Sequence, residues 1–367
     1  MRQTLFRIVL NDPWTFWSTD PVTGLPLVGV GFVWCLLGGL WLVSLLVQTR
    51  WRWQREHTLT AAIASGVALL LAIPGVASLL PARTFPLWGY GGMLLLGFVA
   101  ALIVGRRHAR RAGFNPEIVF DVGLWMLISG IVGGRLAYLF QYGSRVFTDE
   151  SGQALRGMEL LVAAVNLSEG GLVLIGAMAG GAVGFFAFCR RHGVPSLALA
   201  DVVTPSIFIG IGFGRLGCLL NGCCYGDPCS LPWGISFPAG SVTFKSLVEH
   251  GFLDPTAAAT MPLHPTQIYS SIDGFLLAIV TALFFRSRGK QGEVFALGCI
   301  LCPITRFLIE FLRNDEGGQL GTGLTISQLY SIGILAAGLG VLAYVARRGQ
   351  QVLPTNVSSD RQFVTAS

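Results

Sequence analysis

Apolar stretches of about 20 residues recur from one end of this chain to the other, and that recurrence decides what it can fold into. A bilayer core about 30 Å thick takes about 20 apolar helical residues per crossing. Hydrophobic residues make up 53% of the 367 residues and charged residues only 12%, about half the charged share of soluble domains. The composition therefore predicts an all-α polytopic integral membrane protein with little room for a soluble domain.

Nine spans are expected, at about 27–47, 59–80, 87–105, 118–140, 170–189, 200–222, 267–286, 294–312 and 326–346. Pro74 is placed to kink the second. Ahead of the first, Phe6, Trp14, Phe16 and Trp17 suggest a segment lying at the membrane interface, where aromatic rings anchor. The first long apolar run starts only near Leu27, so ordinary secretory cleavage is not expected. The reading gives three parts: residues 1–86 as the interfacial segment with two helices, 87–346 as a seven-helix core, and 347–367 as a polar tail. The core includes a long segment, about 223–266, between spans six and seven.

The formal charge of +6 would suggest nucleic acid in a soluble chain. Here the basic residues sit mostly in short loops, and no basic patch with interleaved aromatics appears, so nucleic acid is excluded as a partner. One set of alternate loops, with the tail, holds 15 Lys and Arg and the other only seven. The positive-inside rule then puts the N-terminus outside and the C-terminus in the cytoplasm.

Three basic residues fall inside spans instead: Arg135, Arg215 and Arg306, in spans four, six and eight. An arginine at a helix centre costs at least about 2.5–3.5 kcal/mol on insertion scales, so it faces the bundle or a polar cavity. All three lie toward the outer leaflet in this topology, at about the depth of Glu169, His264, Asp273 and Glu310. Asp121 and Asp201 lie nearer the cytoplasmic ends. A structural use remains open for each arginine, as a partner for a carboxylate; Arg306 and Glu310 have the i, i+4 spacing for it. Three guanidinium groups at one depth also fit a phosphate, which they hold through several directed hydrogen bonds. A phosphate met from the outer leaflet belongs to a phospholipid.

Glycine is abundant, with 48 residues clustered inside spans, and close helix packing accounts for most of them. Gly212-Phe213-Gly214-Arg215-Leu216-Gly217 matches GxGxxG but lies in no strand–turn–helix context, so a nucleotide site is rejected. The run Cys218-x4-Cys223-Cys224-x4-Cys229 is spaced like none of the common zinc or iron–sulfur sites. No metal or cofactor is expected. A disulfide between Cys229 and Cys223 or Cys224 would suit an outward loop. Cys299 and Cys302 are either a redox pair or small buried residues.

Several segments, in this order, resemble the bacterial prolipoprotein diacylglyceryl transferases. They are Trp88-Gly89-Tyr90-Gly91, Gly133-Gly134-Arg135, Glu169-Gly170-Gly171, Asp201, and Gly214-Arg215-Leu216-Gly217 with Asn221, Gly222 and Gly226. Pro232-Trp233-Gly234, His264-Pro265-Thr266-Gln267-Ile268-Tyr269 and Arg306 with Glu310 and Arg313 complete the set. The resemblance runs from about Tyr90 to Arg348 and implies a seven-helix family core to which the first two spans are added. It implies transfer of a diacylglyceryl group from phosphatidylglycerol to the lipobox cysteine thiol in a prolipoprotein signal peptide, at the outer face of the inner membrane. A thioether forms and glycerol phosphate leaves.

On this resemblance Arg215 and Arg306 stabilise the leaving phosphate, with His264 as a third catalytic residue. Arg135, Tyr90, Asn221, Gly226 and Gln267 join Arg215 in holding the phospholipid, and Glu169, Asp201, Tyr269 and Glu310 support them. The chain departs from the family pattern at four places. Leu174-Ile175-Gly176 stands where a histidine is usual, Cys218 where an asparagine, Cys223 where a glutamate and Cys302 where a tyrosine. His264 or Glu169 would then take the place of the proton acceptor. Two other functions fit the composition: a membrane thiol–disulfide oxidoreductase, and a transporter of anionic lipid without transferase chemistry. The latter often shows an internal repeat, and none is evident.

Overall fold

A computed structural model of the chain describes residues 4–9, 18–19, 26–29, 84–148, 157–165, 171–313, 323–348 and 350–351. The chain divides into two compact units, one of residues 1–96 and 213–271, the other of residues 97–212 and 272–367. Nine helices are described: α1 Gly89–Arg111, α2 Ile118–Val146, α3 Met158–Val165, α4 Leu174–Arg191, α5 Ser196–Asn221, α6 Val242–Glu249, α7 Thr266–Phe284, α8 Glu293–Glu310 and α9 Ile326–Arg348. Six of them (α1, α2, α4, α5, α7 and α9) are long and apolar enough to cross a bilayer. The 18-residue α8 has the length but carries Glu293, Arg306 and Glu310. Large apolar side chains project outward, with Phe140 95% and Val183 68% exposed, which lipid tolerates and water does not.

Spans three to nine of the sequence reading thus appear as helices, within a few residues of their expected ends. The first two fare differently. Residues 27–29 belong to a strand, so the first span does not begin there; the rest of it, and all of the second, lie outside the described residues. A small sheet in the first unit had not been expected. Its strands are β1 Thr4–Val9, β2 Ser18–Thr19, β3 Pro26–Gly29 and β4 Thr84–Trp88, in the order β2-β3-β1-β4. Strand β1 runs parallel to β3, with Ile8 opposite Val28, and antiparallel to β4, with Ile8 opposite Phe85. Phe6 therefore sits in a central strand, while Trp14, Phe16 and Trp17 lie outside the described residues.

In the second unit α2 and α4 pack along a seam of small residues. A methyl group added at Gly133 would overlap the Gly176 carbonyl, and one at Gly180 would overlap that of Ser129. Glycine lets the two backbones touch, and dispersion along that contact replaces the hydrophobic drive that lipid removes. The same device recurs where Gly274 on α7 faces Gly212 on α5, with 2.9 Å between an added methyl and the Gly212 nitrogen. Below these seams lies a core of Val122, Phe188, Leu199, Val202 and Val294.

Asp201 holds this core to α8. Its carboxylate is fully buried and accepts from the backbone N–H of Gly292 (2.8 Å) and Phe295 (2.9 Å), with the Arg288 Nε 3.5 Å away. The first N–H groups of a helix have no partner of their own; a side chain on α5 supplies one for α8.

The segment 223–266 is folded and not a plain loop. Phe237, Leu247 and Leu263 form its core, and short bridges pair Ile235 and Pro228 with Leu263. Ser241 caps α6 by accepting from the Phe244 N–H, and Thr243 donates to the Gly222 carbonyl at 2.6 Å.

Candidate active site

The end of α5 is where the first unit gathers its reactive groups. Arg215 and Cys218 are three residues apart on that helix and so share a face. Asn221 ends the helix, and Gly222, at φ +74°, turns the chain back. Cys224 follows at φ +59°, the one non-glycine residue with positive φ among the described residues. A side chain in that region costs about 1–3 kcal/mol and persists only where its surroundings enforce it. Here two fully buried residues do so: Thr266 Oγ1 donates to the Cys224 carbonyl and Gln267 Nε2 to that of Cys223, each at 2.8 Å.

This turn brings three thiols together. The Sγ atoms of Cys218, Cys223 and Cys224 all lie within 4.8 Å of one another, each residue half-buried. Spacing in sequence had argued against a metal site, but the turn after α5 places the thiols as spacing alone does not reveal. The expected disulfide is absent, because none of the seven described cysteines, Cys229 included, is in a disulfide. Asn221 stands beside the Cys223 thiol and favours its ionised form. The contact with Cys218 favours the Cys223 thiolate, but the Cys224 thiol and burial outweigh it and hold the Cys223 pKa above its ordinary value.

Tyr90 packs on the same helix end. Gly217 makes this approach possible, since a methyl group there would stand 3.0 Å from the Tyr90 ring. The phenol lies within electrostatic reach of the three thiols and of Arg215. Among the described residues Arg215 makes no hydrogen bond or ion pair of its own. Gln267 has spent its amide donor on Cys223, and its Oε1 is buried without a hydrogen-bond partner among the described residues.

His264 helps to build the turn through its backbone. Its carbonyl accepts from the Gly226 and Thr266 N–H groups, and its own N–H donates to the Asp227 carbonyl. On the side-chain side, Trp233 Nε1 donates to the Tyr269 hydroxyl at 2.8 Å. His264 Nδ1 lies 3.4 Å from the same hydroxyl.

The other two intramembrane arginines belong to the second unit, and both are engaged. Arg135 on α2 donates Nε to the Ala164 carbonyl (2.9 Å), Nη1 to that of Gly171 (3.2 Å) and Nη2 to that of Ala163 (2.7 Å). Its guanidinium thus ties α3 and the start of the next segment to α2. Gly171, at φ +86°, is required there, because a methyl group would meet Arg135 Nη1 at 2.6 Å. Arg306 on α8 pairs with Glu310 (2.5 Å) and reaches Ser327 (3.2 Å), while Glu310 also accepts from Thr325 (3.2 Å). The i, i+4 pairing suggested by sequence is formed. Glu169 lies outside the described residues.

Sequence reasoning missed Thr266, Trp233, Thr325 and Ser327 as partners of these groups. Thr266 and Trp233 stood inside motifs already singled out; nothing local marked Thr325 or Ser327.

The profile of the family described as prolipoprotein diacylglyceryl transferase matches residues 77–344. A phosphatidylglycerol–prolipoprotein diacylglyceryl transferase of Clostridium tetani is 34% identical over 255 residues, covering 70% of this chain and 92% of its own. Its counterpart numbered 2 in Clostridium perfringens is 34% identical, covering 69% and 89%. That of Rhodopirellula baltica is 26% identical and covers 95% of this chain and 90% of its own. These matches identify the chain as a member of the prolipoprotein diacylglyceryl transferase family.

Proposed function

We propose that this chain transfers the diacylglyceryl group of phosphatidylglycerol to the lipobox cysteine thiol of prolipoproteins, forming a thioether and releasing glycerol phosphate. Relatives named for that reaction support it. One observation on this chain carries it furthest: Arg215, in an apolar helix, has no hydrogen-bonded or ionic partner among the described residues, whereas Arg135 and Arg306 have theirs. An unpaired guanidinium at membrane depth is costly, and an anion that arrives with the substrate lowers that cost.

In this reading Arg215 binds the headgroup phosphate and stabilises the charge it gathers as the carbon–oxygen bond breaks. Tyr90 and Asn221 donate to phosphate or glycerol oxygens, and Gly226 shapes the turn beside them. The free Gln267 Oε1 suits a glycerol hydroxyl, since it is an acceptor and phosphate is not a donor. Arg306, paired with Glu310 and bonded to Ser327, holds α8 to α9. Arg135 and Asp201 support the fold, and His264 and Tyr269 position the turn. The site faces the outer leaflet, with the N-terminus outside and the C-terminus in the cytoplasm, as the loop charges favour.

The test is complementation of a bacterial strain depleted of its own transferase, with mass spectrometry of a reporter lipoprotein. Diacylglyceryl-modified reporter is the expected product. Unmodified reporter from a chain present in the membrane overturns the proposal. Disulfide exchange or lipid transport without that product would favour one of the two other functions.

A further inference from the structure

We propose that Cys218, Cys223 and Cys224 form a three-thiolate site for a borderline-soft divalent cation, zinc by preference, whose fourth position takes the substrate thiol. This rests on the transferase reading for its substrate and on the cluster itself for the cation.

The geometry is close to a coordination shell. Thiolates about 2.3 Å from tetrahedral zinc stand roughly 3.8 Å apart, and the three Sγ atoms already lie within 4.8 Å of one another. None of the three is in a disulfide. Among the described residues no histidine or carboxylate joins the group. Three protein ligands and one open position is the arrangement of catalytic zinc, while structural zinc takes four. All three cysteines are half-buried.

The scaffold is built for the purpose as well. Holding Cys224 at φ +59° strains the backbone, and two buried side chains are spent on the carbonyls of Cys223 and Cys224 to keep it there. Three inert cysteines need none of this. Three thiolates and a divalent cation carry one net negative charge, and Arg215 stands one turn before Cys218 on the same helix.

A cation here supplies what thioether formation needs. The nucleophile is the thiolate, and a thiol bound to a divalent metal is deprotonated outright. Each of the three cysteines releases one proton to water when the cation binds. The substrate thiol releases a fourth as it takes the open position. Its sulfur then forms a bond to the glyceryl carbon while the bond from that carbon to the phosphate oxygen breaks. Glycerol phosphate leaves with the electron pair, and the thioether, a weak ligand, departs. Nothing is oxidised or reduced.

The experiment uses the full-length chain in detergent micelles, stripped with a chelator and titrated with Co(II). Thiolate-to-cobalt absorption should saturate at one equivalent. It should be lost in Cys218→Ser and Cys223→Ser and retained in Cys229→Ser, whose thiol lies outside the cluster. Absence of a saturable band in the unsubstituted chain overturns the proposal. In parallel, transfer from phosphatidylglycerol vesicles to a lipobox peptide should fall at least tenfold on chelation and return with Zn(II). An unchanged rate in metal-free protein overturns the proposal and leaves the transferase reading standing. Cobalt bound through the three thiols, with no transfer in the presence of Zn(II), overturns the transferase reading and the substrate half of the proposal with it.

Discussion

Gln267 Nε2 lies 2.8 Å from the Cys223 carbonyl, so a side chain at the start of α7 sets the path of the chain just beyond α5. Gln267→Leu keeps the volume and removes the donor. A buried carbonyl left unsatisfied costs about 1–3 kcal/mol, so thermal unfolding in detergent should begin at lower temperature. Transfer should fall with it, because the turn carries the thiols. An unchanged melting profile would show that the bond holds nothing in place.

Arg215→Ala should abolish thioether formation, and Arg215→Lys should lose most of it, since a point charge does not replace a planar fork. Among the described residues no structural partner is lost in either case, so both variants should unfold at the temperature of the unsubstituted chain. Turnover of the alanine variant near that of the unsubstituted chain would remove Arg215 from the phosphate.

Arg306→Ala should behave in the opposite way. Glu310, almost fully buried, loses its partner, and breaking a buried pair costs about 3–5 kcal/mol. The double variant Arg306→Met, Glu310→Leu removes both charges and should recover most of the stability. Transfer assayed in that double variant then separates the two uses of Arg306. Retained activity makes it a strut, and lost activity in a stable protein makes it a phosphate ligand.

His264→Ala removes the ring that stands beside the Tyr269 hydroxyl and, if that contact only positions the turn, should slow transfer several-fold without moving the pH dependence of kcat/KM. Loss of a limb of that profile would make His264 the proton acceptor after all.

Gly180→Ala drives a methyl group into the Ser129 carbonyl and should separate α2 from α4, with a clear loss of thermal stability. Gly214→Ala meets nothing within 4 Å and should leave both stability and activity near their starting values. An equal effect of the two would mean that the seam is not what holds these helices.

The helical core was legible because each crossing is a local property: one apolar run, read by itself, gives one helix. Arg306 and Glu310 were legible for the same reason, since their spacing within one helix is the contact. What escaped was non-local. Residues 4–9 pair with 84–88, and no pattern inside either segment announces the other. Arg135 binds backbone carbonyls, which have no signature in side-chain identity. The thiol cluster escaped because spacing was judged as if the chain continued straight, whereas Gly222 and Cys224 reverse it within three residues.

The carboxylate of Asp201 bears on how this protein is made. Its partners, the N–H groups of Gly292 and Phe295, lie 91 and 94 residues further along the chain. A nascent polypeptide inserted from its N-terminus therefore delivers that acid to the membrane well before the amides that will satisfy it have been synthesised. Both ends of the interaction stay unsatisfied until α5 and α8 meet. A translation product truncated before Gly292 would keep an uncompensated acid in its sixth predicted crossing.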